Sequence, residues 1–247
     1  MIEVSFNLTA WRAVCPFFSE RQDWQRWAQH PEWINGLPET KPNLDFLPPI
    51  QRRRLSGAAR LMFAAAHPLL ADNQHCPLVY ASHDGEINRS FALWLSLLRG
   101  EGVSPTSFGL SVHNALPAQW SMLHQDMSEY TALSAEDHFE AAFTEACILL
   151  QEGAERVLLA VVDEPIASEY DLPQAQRAPF AYAFAAVLTA GDACRLRFQA
   201  AAETAEKAGD YWGALHWIRH VCLAEENKPA VLRQNYADRQ WLWQWTR

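Results

Sequence analysis

Tyr130-Thr-Ala-Leu-Ser-Ala-Glu-Asp-His-Phe-Glu-Ala-Ala-Phe-Thr-Glu-Ala-Cys-Ile-Leu-Leu150 changes period part-way along. Up to Ser134 the residues alternate loosely, as in a short strand, whereas Phe139, Ala142, Phe143, Ala146, Leu149 and Leu150 recur at helical spacing. A strand running through a tight turn into a helix is the expectation. Ser134 is the candidate helix cap, with Asp137 three residues on as its return partner in a capping box. Glu136 then falls in the first helical turn, where open backbone N–H groups favour a negative charge by roughly 0.3–1 kcal/mol. Gly153 ends the helix, and the apolar run Val157-Leu-Leu-Ala-Val-Val162 reads as a parallel strand buried on both faces.

The same grammar extends in both directions. Val4, Phe6 and Leu8 alternate with polar residues as a first strand, and a region rich in Trp and Pro follows (Trp11, Trp24, Trp27, Trp33; Pro38, Pro42, Pro48, Pro49). Aromatics at that density cover a sheet edge or a partner surface more often than they line a chemical site. From Gln51, Leu55, Ala58, Ala59, Met62, Phe63 and Ala66 mark one helical face that His67-Pro68 should end. Leu78 to Ala81 is a second buried strand, and Phe91, Leu95 and Leu98 mark a helix stopping at Gly100. Beyond Pro173 and Pro179, two strands are expected, Phe180 to Leu188 and Cys194 to Phe198, joined by a turn at Gly191-Asp192. A helix from Tyr211 to Glu225 and a strand at Trp241-Leu-Trp-Gln-Trp245 complete the chain. Alternating strands and helices point to an α/β, doubly wound layout.

With 247 residues, 49% of them hydrophobic, the chain can bury a sizeable core. A net charge of -9 argues against a nucleic-acid or anionic-membrane partner, since both need a basic surface. Five scattered cysteines without a Cys-x-x-Cys pair speak for reduced thiols rather than disulfides or zinc. No segment has spanning length, and the N-terminus lacks a basic flank followed by an apolar run. A cytoplasmic protein without membrane insertion is expected.

Several polar groupings invite chemistry. His83, Asp84 and Glu86 follow a strand, but His-Asp-Gly-Glu is no known metal signature and a polar loop is the plainer reading. His113 beside Ser111 suggests a hydrolase, yet no Gly-x-Ser-x-Gly elbow accompanies the pair. His216 and His220 stand four apart without a third ligand at recognisable spacing, so no metal and no cofactor is expected. Arg52, Arg53 and Arg54 form a basic run in an acidic chain, which is either a solvated helix start or a contact for an acidic partner.

The stretch Tyr130 to Ala142 resembles the strand-to-helix turn of β-ketoacyl synthases, with Ser134 on the family's threonine, Ala135 on its alanine and Glu136 on its reactive cysteine. Ser104 to Ala115 resembles a second family segment, with Asn114 on a near-invariant asparagine. The wording Ser-Val-His-Asn-Ala, together with Asp163-Glu-Pro, is similar to short ketosynthase-like subunits of the chain-length-factor type, especially those of aryl polyene clusters. The resemblance implies a thiolase-like (ketosynthase) fold in a single domain, 1–247. Its first half, 1–165, is complete and doubly wound; its C-terminal part, 166–247, is abbreviated and lacks the family's two catalytic histidines.

Both departures remove the same chemistry, because a carboxylate is a far poorer acyl acceptor than a thiolate. The resemblance therefore implies a non-catalytic partner of a full-length β-ketoacyl synthase, forming a heterodimer that transiently meets an acyl carrier protein. Phe108, Leu110, Ser111, Val112, His113, Asn114 and Trp120 would shape the tunnel or interface; Tyr130 to Leu133 would be the edge strand at the pair's junction; and Arg52, Arg53 and Arg54 would touch the carrier. Two other readings stay open: a decarboxylating, chain-priming relative that uses Glu136, and a purely structural scaffold.

Overall fold

The computed structural model describes residues 2–71, 74–170, 178–200, 213–224, 231–236 and 238–246. In chain order the elements are β1 (Ile2–Val14), α1 (Arg21–Gln29), α2 (Pro49–Arg54), α3 (Gly57–Ala66), β2 (Leu78–Ser82), α4 (Ile87–Leu98), α5 (Pro105–Gly109), α6 (Ala115–His124), β3 (Tyr130–Ser134), α7 (His138–Gln151), β4 (Val157–Asp163), β5 (Tyr182–Ala200), α8 (Ala214–Leu223), β6 (Val231–Asn235) and β7 (Arg239–Trp245). The strands form one sheet in the order β3-β2-β4-β5-β7-β6, with β1 also paired to β5. β2 runs parallel to β3 and β4, whereas β4–β5, β1–β5, β5–β7 and β6–β7 are antiparallel. The layout is thus mixed α/β.

Alternation along β4 divides the core in two. Val157, Leu159 and Val161 face a layer built on α1, α7 and α8, while Leu158, Ala160 and Val162 face α3 and α6. Every residue of β4 is buried, as the continuous apolar run required. The first layer is aromatic: Phe139 and Phe143 of α7 meet Phe184, Trp217 and Trp243 at ring-centroid distances of 4.8–6.3 Å. Each such side chain contributes roughly 1.5–3 kcal/mol by burial. Trp24 and Trp27 lie inside this layer too, with the Trp24 indole N–H donating to the Ala13 carbonyl at 2.9 Å, so the tryptophan-rich region serves packing. Trp241 and Trp243 are buried there as well.

Three local expectations are corrected. The helical face from Leu55 to Ala66 is buried as expected, but it is broken at Leu55-Ser56, where the Ser56 hydroxyl caps α3 by accepting from the Ala59 N–H. The turn expected at Gly191-Asp192 does not form; β5 is a single 19-residue strand. Its register against β1 jumps between Cys194, opposite Phe6, and Thr189, opposite Asn7. Asn7 fills that bulge, donating to the Ala190 carbonyl and accepting from the Ala193 N–H, both at 3.2 Å. A Cβ on Gly191 would collide with the Asn7 side chain, so glycine there admits the asparagine rather than turning the chain. Beyond the bulge β5 changes partner, from β4 (Tyr182 to Leu188) to β7 (Cys194 to Ala200). The third correction concerns the start of α7 and is taken up below. Residues 211, 212 and 225 of the expected C-terminal helix, and Pro173, lie outside the described residues. No helix among the described residues is long and apolar enough to cross a membrane.

Candidate functional site

Because β2, β3 and β4 are parallel, their carboxyl ends share one edge of the molecule, the place where open α/β sheets put their sites. β3 ends at Ser134, and α7 starts only at His138, three residues later than a Ser134 cap requires. The Ser134 hydroxyl instead donates to the His83 carbonyl at 2.9 Å. Asp137 holds the cap position by its backbone alone; its carboxylate accepts from the Trp241 indole at 2.8 Å and from Arg239 at 3.3 Å. The capping box therefore does not exist, and Glu136 sits in the preceding turn, exposed, rather than in the helix.

What α7 buries at its start is a row of polar groups. His138 is bonded through Nε2 to Asp163 at 2.8 Å, and Asp163 also accepts from the Tyr182 hydroxyl at 2.7 Å and the His83 N–H at 2.9 Å. Burial alone would push His138 down, yet the charge and hydrogen bond of Asp163 outweigh it and hold the imidazole above its ordinary value. Burial would likewise push Asp163 up, and the imidazolium, the amide and the phenol hold it below. The two directions agree on an ion pair. Two residues on, buried Glu140 accepts from the Tyr236 hydroxyl at 2.8 Å and the Trp243 indole at 3.2 Å; burial pushes its carboxyl up to about 7 against those bonds.

Tyr182 and Tyr236 carry no signal in the sequence, and Asp163 enters it only through the Asp163-Glu-Pro wording, not as a partner of His138. The one local signal was an aspartate closing an otherwise apolar strand. Its partners come from 19 and 25 residues away, and those of Glu140 from 96 and 103.

Thiol chemistry has no foothold near this turn. All five cysteines are buried, and burial raises Cys15, Cys76, Cys194 and Cys222 to about 11 and Cys147 to about 12. Cys147 is in α7 but more than two turns past its start. His138 is fully buried, with its Nε2 held by Asp163.

The second expected region contrasts with the first. From Ile87 to Asn114, through α4 and α5, no residue is buried. Trp94 is 57% exposed, Leu98 66% and Phe108 62%, with Leu97 and Val112 also exposed. Leu110 is half-buried, the Ser111 hydroxyl donates to the Phe108 carbonyl, and Asn114 is exposed and makes no cap bond with its side chain. His113 pairs with Ser82 at 2.8 Å, not with Ser111, which removes the hydrolase reading. Trp120 is set apart from the others: at 2% exposure it stacks on His124 and packs against Phe63 in the α3–α6 layer, where it lines a cleft with His67, Leu70 and His124. Next in the chain, β3 is an edge strand with Tyr130 exposed and Leu133 half-buried, and Met127 before it is 93% exposed.

The loop after β2 is structural: His83 bonds Asp84, while Glu86 turns away to accept from Ser56 and Arg89, each at 2.9 Å. Arg52 pairs with Asp45 at 2.6 Å, and Arg53 and Arg54 are exposed. Arg52 and Arg53 also line a cleft with Lys41 and Arg60. His216 bonds Gln234, and the His220 ring stacks on Trp245. Among the described residues no group of three His, Cys, Asp or Glu side chains is arranged to hold a metal.

The family model for the β-ketoacyl synthase N-terminal domain matches residues 24–244. The chain belongs to this family. No curated protein matches it significantly. Among solved structures, the complex of the ketosynthase ApeO with its chain length factor ApeC from Xenorhabdus doucetiae contains a chain 25% identical to this one, with a TM-score of 0.83 over 98% of this chain and 99% of that one. A β-ketoacyl synthase from Burkholderia phymatum STM815 is 13% identical, with a TM-score of 0.58 over 82% of this chain and 65% of that one. The AntDE:AntF complex, a type II ketosynthase with its acyl carrier protein, matches at 14% identity and a TM-score of 0.53, over 81% of this chain and 70% of that one. The fold is therefore the thiolase-like ketosynthase fold, in a chain shorter than those synthases.

Proposed function

We propose that this protein is a chain-length-factor-like subunit that makes no acyl-enzyme itself. It pairs with a complete β-ketoacyl synthase and shapes the tunnel in which the partner extends carrier-bound chains with malonyl units. What supports the reading is the turn before α7: Glu136, which the resemblance sets at the family's nucleophile position, is an exposed carboxylate there, and all five cysteines are buried with raised pKa values. Near-complete mutual coverage with a chain of a ketosynthase and chain length factor complex supports the pairing. So does an unpaired β3 edge beside exposed Met127 and Tyr130, since an open edge strand is otherwise an aggregation hazard. We assign the whole chain, 1–247, to this one role, in the cytoplasm, in aryl polyene or related type II polyketide synthesis.

We keep Phe108, Leu110, Val112 and Trp120 as the residues that would shape the tunnel, with exposed Phe108 the first to test. Incubated alone with acyl and malonyl carrier proteins, the purified subunit should gain no covalent adduct by intact-mass spectrometry and release no carbon dioxide. With its synthase, Phe108→Ala should lengthen the product, because overpacking one methylene against a bulky side chain costs about 1–3 kcal/mol and that cost is relieved. An acylated subunit, or an unchanged product from an intact complex, would overturn the reading.

A further inference from the structure

The excursion from Ile87 to Asn114 has no buried side chain to fix it, yet it leaves the sheet and returns to it at defined points. At its start Asn88 donates to the Pro165 carbonyl and accepts from the Ala167 N–H, and Phe91 stacks on Tyr170. At its end, among the described residues, the side chain bonded to the sheet is His113. Its Nε2 lies 2.8 Å from the hydroxyl of Ser82, the last residue of β2, and its ring packs against Tyr80 at a centroid distance of 5.2 Å.

The pocket for that ring is made to measure. Gly85 stands at φ +60, and a Cβ there would come within 2.9 Å of His113 Cδ2, so the ring occupies space that only glycine leaves open. The Gly85 N–H donates to the Ser82 oxygen at 2.8 Å, which takes one lone pair and leaves the hydroxyl able to donate to a neutral imidazole. Ser82 is itself buried, so the bond is shielded from water. Burial, and then the charge of His138, push His113 below its ordinary value, which keeps the ring neutral and able to accept.

We propose that Ser82 and His113 are positioning residues: their hydrogen bond holds the Phe108–Val112 segment in register with the carboxyl end of β2, and so sets where Phe108 meets the growing chain. This rests on the length-setting role proposed above. Phe108 would be the wall and the Ser82–His113 pair its fastening. Loosening the fastening lets the wall give way without changing the surface of the wall itself.

The test uses the complex of this subunit with its synthase, comparing Ser82→Ala, His113→Ala, the double variant and His113→Gln, whose amide oxygen can accept in place of Nε2. Hydrogen exchange at residues 107–112 should accelerate at least tenfold in both alanine variants. Products should spread to longer chains by one or more malonyl units. The double variant should look like either single one, and His113→Gln should restore most of both readouts. Unchanged exchange and unchanged product in a correctly assembled complex overturn the proposal, as does additivity of the two alanine substitutions. If Ser82→Ala does not assemble, the half-buried His113 variants decide alone. Phe108→Ala run alongside separates the two levels. If it too leaves the product unchanged, the length-setting role falls; if it lengthens the product while the Ser82 and His113 variants do not, only the fastening falls.

Discussion

Two regions leave the same end of the sheet and differ in almost everything else. The start of α7 has Asp137, His138 and Glu140 buried, each with partners from β4, β5, β7 or the residues beside them. The α4–α5 excursion, from Ile87 to Asn114, buries nothing and shows solvent a Trp, two Leu and a Phe. The first place is filled and locked by buried polar pairs drawn from distant strands, whereas the second shows its apolar side chains to solvent. The contrast teaches that one end of a sheet can carry a segment fixed along its length beside one fixed only where it leaves and rejoins the sheet.

The largest effect should come from unlocking the first region. Asp163→Asn leaves His138 without its counter-charge inside the core, and breaking a buried pair in this way costs about 3–5 kcal/mol. Chemical denaturation of the purified subunit measures it; a loss under 1 kcal/mol would mean that the pair is not the ion pair described. Next is Glu140. Its folded pKa of about 7 lies above the ordinary carboxylate value of 4.5, so its contribution is fully present below about pH 4.5 and is lost as pH rises through about 7. Glu140→Gln should flatten that slope, which is on the order of 3 kcal/mol across the window, in denaturation curves at a series of pH values. An unchanged slope would place the carboxyl in water.

The second region should respond in the opposite sense. Trp94→Ser with Leu97→Ser should leave the stability of the isolated subunit within about 0.5 kcal/mol while weakening binding to the synthase by tenfold or more, about 1.4 kcal/mol. Equal loss in both measurements would show that the face packs within the subunit. Smallest of all, reversing Arg52, Arg53 and Arg54 to Glu should leave folding and pairing intact and weaken carrier-protein binding modestly, about 1 kcal/mol or less per charge and less still at high salt. Salt-insensitive binding unaffected by the reversal would assign the run to solvation alone.

What could be read from the chain alone was whatever one segment decides for itself. The apolar run of β4, the helical face of α7, the alternation of β1 and the paired tryptophans of β7 all announce their burial locally, because period and hydrophobicity are properties of neighbours in sequence. The family wording, which sets Glu136 where the resemblance puts the nucleophile, belongs to the same class. Tertiary structure decided the rest. A glycine and an aspartate at 191 and 192 signal a turn, but Asn7, more than 180 residues away, fills the bulge and keeps β5 straight enough to bind β4 and then β7. Ser134 looks like a cap until His83 offers its carbonyl, and Trp120 groups with Phe108 until Phe63 and His124 draw it into the α3–α6 layer. In each case a local preference worth about 1 kcal/mol was overruled by long-range hydrogen bonds and packing that exist only once distant strands have met.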